Sequence, residues 1–286
     1  MTIKPHCNIC GHRGRFLISD RGREGWHCEN CSASARNRLV MYALGKMLGL
    51  EEQPVYLWPK NKNLKILEPC PGGPQAVFLR EKFDYDAPEF DPEKIKHGAD
   101  PKKYSDIQQL AFADETFEVI IASEVFEHVR EDLKGFKEVY RTLKPEGLFI
   151  LTVPYDHQRL QTLVRVEVQG DRDIHLTSPH YHGGSGATLE YRQYGRDLLE
   201  RLRGVGFTVG YFEAALPHYQ IPRCGIIICK KSYYFDLGAA WQDAGENATP
   251  PQLGPLLPFR LFVLYKFNFK SLVHYMKEIK NKLARK

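Results

Sequence analysis

Four of the seven cysteines lie within the first 31 residues, as two Cys-x2-Cys pairs separated by 17 residues: Cys7, Cys10, Cys28 and Cys31. Each short loop can direct two thiolates at one ion about 2.3 Å away, which is the tetrahedral ligand set of a zinc ribbon. We therefore predict a Zn²⁺ site in residues 1–33. Because four protein thiolates leave no open coordination position, this zinc is expected to be structural.

Two alternatives compete with a four-thiolate site. The cysteines could pair as disulfides, although disulfides are rare in the cytoplasm. One of the nearby histidines could also replace a thiolate, and these histidines are His6, His12 and His27. The remaining cysteines stand in apolar or strand-like surroundings and are predicted to be small buried side chains; they are Cys70, Cys224 and Cys229.

A second candidate site is a glycine-containing turn between a predicted strand and a predicted helix. The apolar strand at 63–68 runs into Pro69-Cys70-Pro71-Gly72-Gly73-Pro74, and residues 75–81 follow with a helical pattern. A turn of this kind at the carboxyl end of a parallel strand lets the backbone approach a ligand and points the amides of the next helix at it. The turn therefore indicates an edge that binds a small molecule.

The elements that must position these residues alternate between strand and helix. Alternation of this kind predicts an α/β fold with a doubly wound, mostly parallel Rossmann-like sheet and helices on both faces. Helices are predicted at 34–48, 125–143 and 194–205, and further strands at 83–90, 116–123, 148–154, 207–213 and 225–230. Two short strands, at 15–18 and 25–27, are expected in the ribbon.

Over about residues 62–231 the ordered motifs resemble those of class I S-adenosylmethionine-dependent methyltransferases. The resemblance rests on the glycine turn preceded by Glu68, on the run 110–120, on Val125-Phe126-Glu127-His128-Val129 and on the turn Lys144-Pro145-Glu146-Gly147. The ribbon followed by a helix with an Arg-x-Arg pair is similar to a subgroup of these enzymes that carries an N-terminal ribbon. The resemblance implies a methyltransferase that uses S-adenosylmethionine.

The resemblance also assigns the contacts to the methionine half of the cofactor. Glu68 would help to hold the ammonium group, because a carboxylate accepts charged hydrogen bonds. The loop residues after it would allow close backbone approach, and they are Pro69, Cys70, Gly72 and Gly73. In the family pattern a glycine stands where this chain has Cys70, and the flanking prolines stiffen the loop. Ser123 would lie beside the transferable methyl group.

The nucleoside half has its own assignments by the same resemblance. Glu89, next to Phe90, would accept both ribose hydroxyls, and Asp91 is its close rival. Asp106 would accept a hydrogen bond from the adenine amino group, while Ile107 would pack against the ring.

A hydroxyl acceptor needs a group that promotes loss of its proton. Histidines near the predicted carboxyl ends of strands are the candidates, and we favour His128 and His182 as catalytic residues. The other candidates are the Asp156-His157 pair, His175 and His180. The stretch 180–186 is also considered as a metal site, but His180 and His182 by themselves lack a third ligand.

Two absences from the sequence narrow the acceptor. The segment after the fourth strand lacks the Asn-Pro-Pro-Tyr type of motif that grips a planar nitrogen, and no cysteine is expected near the ends of strands four or five for attack on a pyrimidine carbon. An oxygen of a small molecule or glycan precursor is the predicted acceptor. The alternatives are an RNA methyltransferase whose ribbon arginines grip phosphates, and a non-catalytic cofactor-binding or interaction module.

The distribution of charge separates the two ends of the chain from its middle. Residues 1–50 carry 8 Lys/Arg against 3 Asp/Glu, residues 51–259 carry 24 against 31, and residues 260–286 carry 8 against 1. The acidic middle disfavours a wide nucleic-acid footprint. The basic end predicts an amphipathic helix that docks on its own domain, contacts an anionic membrane surface or meets a partner.

These patterns predict three parts: a ribbon at 1–33, a methyltransferase domain at 34–243, and a linker with a basic tail at 244–286. No stretch is long and apolar enough to span a membrane. The chain starts without the pattern of a secretory signal, so a cytoplasmic location is expected.

Overall fold

The predicted alternation of strands and helices is present in the computed structural model, which describes residues 5–19, 24–182 and 188–232. The helices are α1 Ala35–Leu48, α2 Gln75–Lys82, α3 Pro92–Lys96, α4 Asp132–Thr142 and α5 Asp197–Val205. The strands are β1 Phe16–Ile18, β2 Trp26–Cys28, β3 Asn61–Leu67, β4 Phe83–Asp86, β5 Phe117–Ser123, β6 Leu143–Thr152, β7 Leu163–Val164, β8 Val166–Gln169, β9 Arg172–His175, β10 Tyr181–His182, β11 Thr188–Leu189, β12 Arg192–Gln193, β13 Thr208–Leu216 and β14 Ile221–Lys230.

Within the described residues the main sheet has the strand order β13-β14-β6-β5-β3-β4. Strands β4, β3, β5 and β6 pair in parallel, whereas β14 runs antiparallel to β6 and to β13. The prediction of a doubly wound, mostly parallel α/β sheet of the class I methyltransferase type is therefore confirmed. The parallel strands all end at one edge of the sheet, and ligands bind at this edge in open α/β folds.

Alternate residues of β5 pack into cores on opposite faces of the sheet. Val119 and Ile121 join the core that contains α1 and α2, and Ile120 and Ala122 join the core that contains α4 and α5. Both faces are therefore covered, which explains why β5 is apolar along nearly its whole length.

Helix α1 begins at a capping box in which Ser34 and Asn37 each accept a hydrogen bond from the other's backbone N–H. It ends at Gly49, whose φ of 69° is in the left-handed region that glycine tolerates. The helix follows the two-stranded ribbon of β1 and β2 directly. Cys7, Ile9 and Cys28 of the ribbon belong to the same buried cluster as α1 and the sheet.

The helix predicted at 125–143 is wrong in its first half. Residues 126–128 form a single 3-10 turn, Val129 is extended, and α4 begins only at Asp132. The cause lies in Arg192, which donates hydrogen bonds to the carbonyl oxygens of Phe126, Val129 and Arg130. A continuous helix would need these carbonyls for its own bonds.

Two strand boundaries also differ from the prediction. Strand β4 ends at Asp86 rather than near Glu89, because Pro88 follows and has no N–H for a ladder. Strand β6 begins at Leu143, so the predicted turn at 144–147 is an irregularity within the strand, with Glu146 at φ 64°.

The long insert at 155–192 forms short two-stranded ladders, β8 with β9, β10 with β11, and β7 with β12. The predicted linker and basic tail, 244–286, lie outside the described residues, as does 183–187. In the part of the chain that the structure describes, no helix has the length and apolar character needed to cross a bilayer.

Candidate active site

The glycine turn lies at the carboxyl end of β3 and follows a glycine-like backbone path. Cys70 has a φ of 51°, so a non-glycine residue occupies the left-handed conformation that the family pattern gives to glycine. Its N–H donates to the carbonyl of Pro88, which holds the turn against the chain after β4. Cys70 is exposed, so the prediction that it is buried is wrong, whereas Cys224 and Cys229 are buried as predicted.

The two glycines of the turn meet different surroundings. A Cβ at Gly73 would lie 2.2 Å from Gln75 Oε1 and 2.5 Å from Asn37 Nδ2, so any other residue here would have to displace these two side chains. Among the described residues nothing lies within 4 Å of a Cβ at Gly72. The open side at Gly72 is where a ligand can approach the backbone.

Glu68 is buried beneath the turn, 1% exposed, beside the equally buried Pro69. Its carboxylate accepts hydrogen bonds from Tyr85 Oη at 2.6 Å and from Gln75 Nε2 at 2.8 Å. Burial raises the pKa of Glu68, and the hydrogen bonds from Tyr85 and Gln75 oppose that rise. The structure thus gives Glu68 two protein partners that the sequence did not predict.

The segment after β4 forms the next part of the edge. Glu89 pairs with Tyr104 in a parallel bridge, and its carbonyl accepts from the N–H of Ser105. The side chains of Glu89 and Phe90 are exposed to solvent. The rival carboxylate, Asp91, accepts from Lys94 N–H and caps α3, so it already has a structural role.

Asp106 and Ile107 lie beside this segment with different exposures. The carboxylate of Asp106 accepts from the backbone N–H of Gln108 at 2.8 Å and from its side-chain amide. Ile107 is 6% exposed and belongs to the core beneath α4. The backbone bonds from 68 to 86, 70 to 88 and 105 to 89 bring all three predicted carboxylates to neighbouring segments of one edge.

Ser123 ends β5 and shares a hydrogen bond with Thr152, which ends β6. Its hydroxyl also accepts from Arg36, whose guanidinium forms a bidentate ion pair with Glu24 of the ribbon. Our assignments omit Arg36, which the structure places against the predicted site residue Ser123. The Arg-x-Arg pair after the last cysteine was the available signal, but only the fold shows that the first arginine points to the site.

The two predicted catalytic histidines come together although 54 residues separate them in sequence. The ring centroids of His128 and His182 are 4.5 Å apart. Of the other candidates, His180 lies beside His182, with ring centroids 5.4 Å apart. His157 instead faces Glu213, 3.7 Å away.

Comparison with known proteins agrees with this geometry. Residues 73–151 match the sequence model of a family described as "Methyltransferase domain". The chain carries an S-adenosylmethionine-dependent methyltransferase domain. No curated protein matches the sequence.

Solved methyltransferases are similar to this one over about two thirds of the chain. An S-adenosylmethionine-dependent methyltransferase from Mesorhizobium loti is 13% identical, with a TM-score of 0.44, covering 69% of this chain and 98% of its own. The 1,6-didemethyltoxoflavin-N1-methyltransferase of Burkholderia thailandensis, solved with 1,6-didemethyltoxoflavin and S-adenosylhomocysteine, is 16% identical, with a TM-score of 0.39, covering 69% of this chain and 78% of its own.

A cavity of about 360 Å³ opens in the methyltransferase at the carboxyl end of β6, beside Thr152. Its polar lining includes Tyr155, His157, Gln193, Glu213 and Arg223. Cys224 also lines it, because β14 runs antiparallel to β6 and brings its first residues to this edge. The expectation that no cysteine lies near the end of the fifth strand is therefore wrong.

The four ribbon cysteines of the methyltransferase form one cluster, with all four sulfurs within 4.8 Å of one another. The Sγ atoms of Cys7 and Cys31 are 3.7 Å apart, as are those of Cys10 and Cys28. Four sulfurs 2.3 Å from a tetrahedral ion would be about 3.8 Å apart, whereas a disulfide needs about 2 Å. The cluster therefore fits a zinc ion and not a pair of disulfides.

The pKa values of two of these cysteines also fit a metal site. A hydrogen bond from Cys31 lowers the pKa of Cys7 to about 5. Burial raises the pKa of Cys28 to about 11, and the nearby Cys7 and Cys10 add to that rise. Loss of a proton is thus favoured at Cys7 and opposed at Cys28. A divalent cation would balance the negative charge of the thiolates.

Proposed function

We propose that this methyltransferase transfers the methyl group of S-adenosylmethionine to an oxygen of a small molecule or glycan precursor. The observation that carries the proposal is the polar cavity beside Thr152, next to the Ser123 position predicted for the methyl group. Phenol, imidazole, amide, carboxylate and guanidinium groups line it, and this mixture suits an acceptor rich in hydroxyls.

The chemistry asks mainly for alignment, because methyl transfer from a sulfonium is an in-line displacement. The acceptor O–H bond breaks, its oxygen bonds to the methyl carbon, and the carbon–sulfur pair stays on sulfur as a neutral thioether. His128 and His182 are the groups proposed to assist loss of the proton. Burial lowers the pKa of His128, which keeps its imidazole neutral and able to offer a lone pair.

The cofactor residues proposed are those assigned by resemblance, with Glu89 favoured over Asp91 because Asp91 already caps α3. Zn²⁺ is proposed in the cysteine cluster, where four thiolates close its coordination and its role is to fold the ribbon. A zinc–thiolate site requires reduced cysteines, so we place the protein in the cytoplasm.

The acceptor class is tested by incubating the protein and S-adenosylmethionine carrying a labelled methyl group with extract fractions of small molecules, glycan precursors, RNA and protein. We expect label in the small-molecule or glycan fraction, in a linkage that survives alkali as an ether does. Label that ribonuclease releases would instead support the RNA alternative, in which the exposed Arg13 and Arg15 of the ribbon contact phosphates. Cofactor binding without transfer to any fraction would support a binding module.

A matched pair of variants links the cavity to the acceptor. Glu213 lines the cavity and accepts a hydrogen bond from Tyr211 at 2.6 Å. Glu213→Gln should raise the KM for the acceptor and leave cofactor affinity unchanged, whereas Glu167→Gln, an exposed change on β8, should alter neither. An unchanged KM in the first variant would remove the cavity from the proposal.

A further inference from the structure

We propose that Glu127, His128 and His182 bind a divalent first-row transition-metal ion, a second metal site distinct from the cysteine cluster. One ligand atom from each of these residues lies within 4.8 Å of the others. The ion would hold the acceptor oxygen; this role rests on the proposed function, whereas the binding of the ion does not.

The hydrogen bonds of His128 leave the correct nitrogen available. Its Nδ1 lies 2.9 Å from the carbonyl oxygen of Leu189, which can only accept, so Nδ1 carries the proton and Nε2 keeps the lone pair. A backbone carbonyl on the far nitrogen is the usual way in which proteins orient a metal-binding histidine. Nε2 itself lies 3.8 Å from Glu127 Oε1.

That separation is close to what one ion requires. Two ligands about 2.05 Å from a tetrahedral ion are about 3.3 Å apart, so a small side-chain rotation brings Glu127 and His128 into range. Glu127 is fully buried and interacts electrostatically with Arg36. A cation held between it and His128 would stabilise its carboxylate further.

The two-stranded ladder of β10 and β11 supplies the third ligand. It is fixed to the chain after β5 by the Leu189 bond to His128 and by the Tyr191 N–H, which donates to the carbonyl of Glu127 at 2.8 Å. His182 thereby faces His128. In the sequence, His180 and His182 lacked a further ligand nearby. The fold supplies Glu127, 55 residues before His182, together with its neighbour His128.

A second group around His182 strengthens the site without competing for the ion. His180 Nδ1 lies 2.5 Å from Glu190 Oε2, and Arg165 Nε lies 3.0 Å from the same oxygen. Because Arg165 already balances the charge of Glu190, we assign Glu190 to the orientation of His180. His180 then stands beside His182 as a neighbour of the bound acceptor.

Three protein ligands leave a coordination position open, in contrast to the closed set of four thiolates. The site also lies near the proposed acceptor cavity, since His128 is hydrogen-bonded to Leu189, which is four residues from the cavity residue Gln193, at most about 14 Å of chain. A hydroxyl bound to the ion loses its proton to water more readily. Its oxygen then bonds to the methyl carbon while the carbon–sulfur pair remains on sulfur. His128 and His182 would thus assist loss of the acceptor's hydroxyl proton by holding the ion that binds the oxygen.

The test counts metal ions in the full chain after loading with Co²⁺ or Zn²⁺ and removal of the excess. We expect about two ions per chain in the wild type and about one in the His128→Gln, His182→Gln double variant and in Glu127→Gln. His97→Gln, which changes an exposed histidine elsewhere on the surface, should keep two. With Co²⁺, the ion lost should be the one without the intense near-ultraviolet absorption of a thiolate ligand.

One ion per chain in the wild type, held with thiolate absorption, would overturn the proposal, as would two ions in all of the variants. Near-ultraviolet circular dichroism confirms that each variant is folded, and the single variant Glu127→Gln keeps the test informative if the double variant is not. Calorimetry with S-adenosylmethionine is run on the same samples. A wild type that holds one ion and still binds S-adenosylmethionine would refute this metal site and leave the proposed function standing, whereas loss of cofactor binding would count against the proposed function.

Discussion

Replacing Cys70 by glycine should stabilise the methyltransferase, because Cys70 holds the left-handed conformation at φ 51°. That conformation costs a residue with a Cβ about 1–2 kcal/mol. Glycine offsets about 0.5–1 kcal/mol of that gain, because it loses more conformational entropy on folding. The net gain expected for Cys70→Gly is about 0.5–1 kcal/mol in the free energy of unfolding, or roughly a 2 °C rise in Tm for a chain of this size.

The neighbouring glycines make the prediction sharper. Gly73→Ala should destabilise by about 1–3 kcal/mol, because its Cβ would displace Gln75, which donates to Glu68, and Asn37, which caps α1. Gly72→Ala should change stability by less than about 0.5 kcal/mol, since its Cβ has open space among the described residues. It should nevertheless weaken binding of S-adenosylmethionine, by about tenfold, if the cofactor approaches the backbone there.

Urea unfolding measures the stabilities and calorimetry measures the affinities. Cys70→Ala is the matched control, because it removes the thiol and keeps the Cβ in the strained conformation. If Cys70→Gly were no more stable than Cys70→Ala, the strain in the turn would be refuted. If Gly72→Ala bound the cofactor as tightly as wild type, the turn would not be the place where the cofactor meets the backbone.

Three further predictions test other parts of the site. Glu89→Ala should weaken cofactor binding by about 1–3 kcal/mol in calorimetry, whereas Asp91→Ala should cost only helix capping; the reverse pattern would exchange their roles. Burial raises the pKa of Glu68, so wild type loses stability as the pH rises above the ordinary pKa of a glutamate and through the raised one. The stability of Glu68→Gln relative to wild type should therefore increase over that pH range in urea unfolding, and a constant difference would contradict it. Cys10→Ser should lower cofactor affinity several-fold as well as the Tm, because Arg36 and Asn37, directly after the ribbon, contact Ser123 and approach Gly73; unchanged affinity would show that the ribbon folds independently of the site.

The order of strands and helices was predictable because each depends on the pattern of residues close to it in sequence. The apolar run of β5 and the strand–turn–helix order around Gly72 and Gly73 depend on neighbours in sequence. The spacing of Cys7, Cys10, Cys28 and Cys31 likewise fixes a four-sulfur cluster through two short loops. For these features the sequence states both the residue types and the geometry that they can adopt.

Some local predictions were wrong because a distant side chain intervened. The helix expected from Val125 has the right pattern, yet Arg192 takes the carbonyl bonds that it would have used. Cys70 was expected to be buried from its apolar neighbours, but the path of the turn exposes it. No window of sequence around either site contains the partner or path that decided the outcome.

The sequence by itself determined the class of sheet, the cysteine cluster and the residues that resemble a cofactor site, since each depends on contacts between near neighbours. Only the tertiary structure placed His182 beside His128 and Glu127. It also placed Arg36 of α1 against Ser123, and Cys224 beside the end of β6. These contacts join residues that are 54 to 87 positions apart. Loop closure over such distances is decided by the packing of the whole core and not by any local preference.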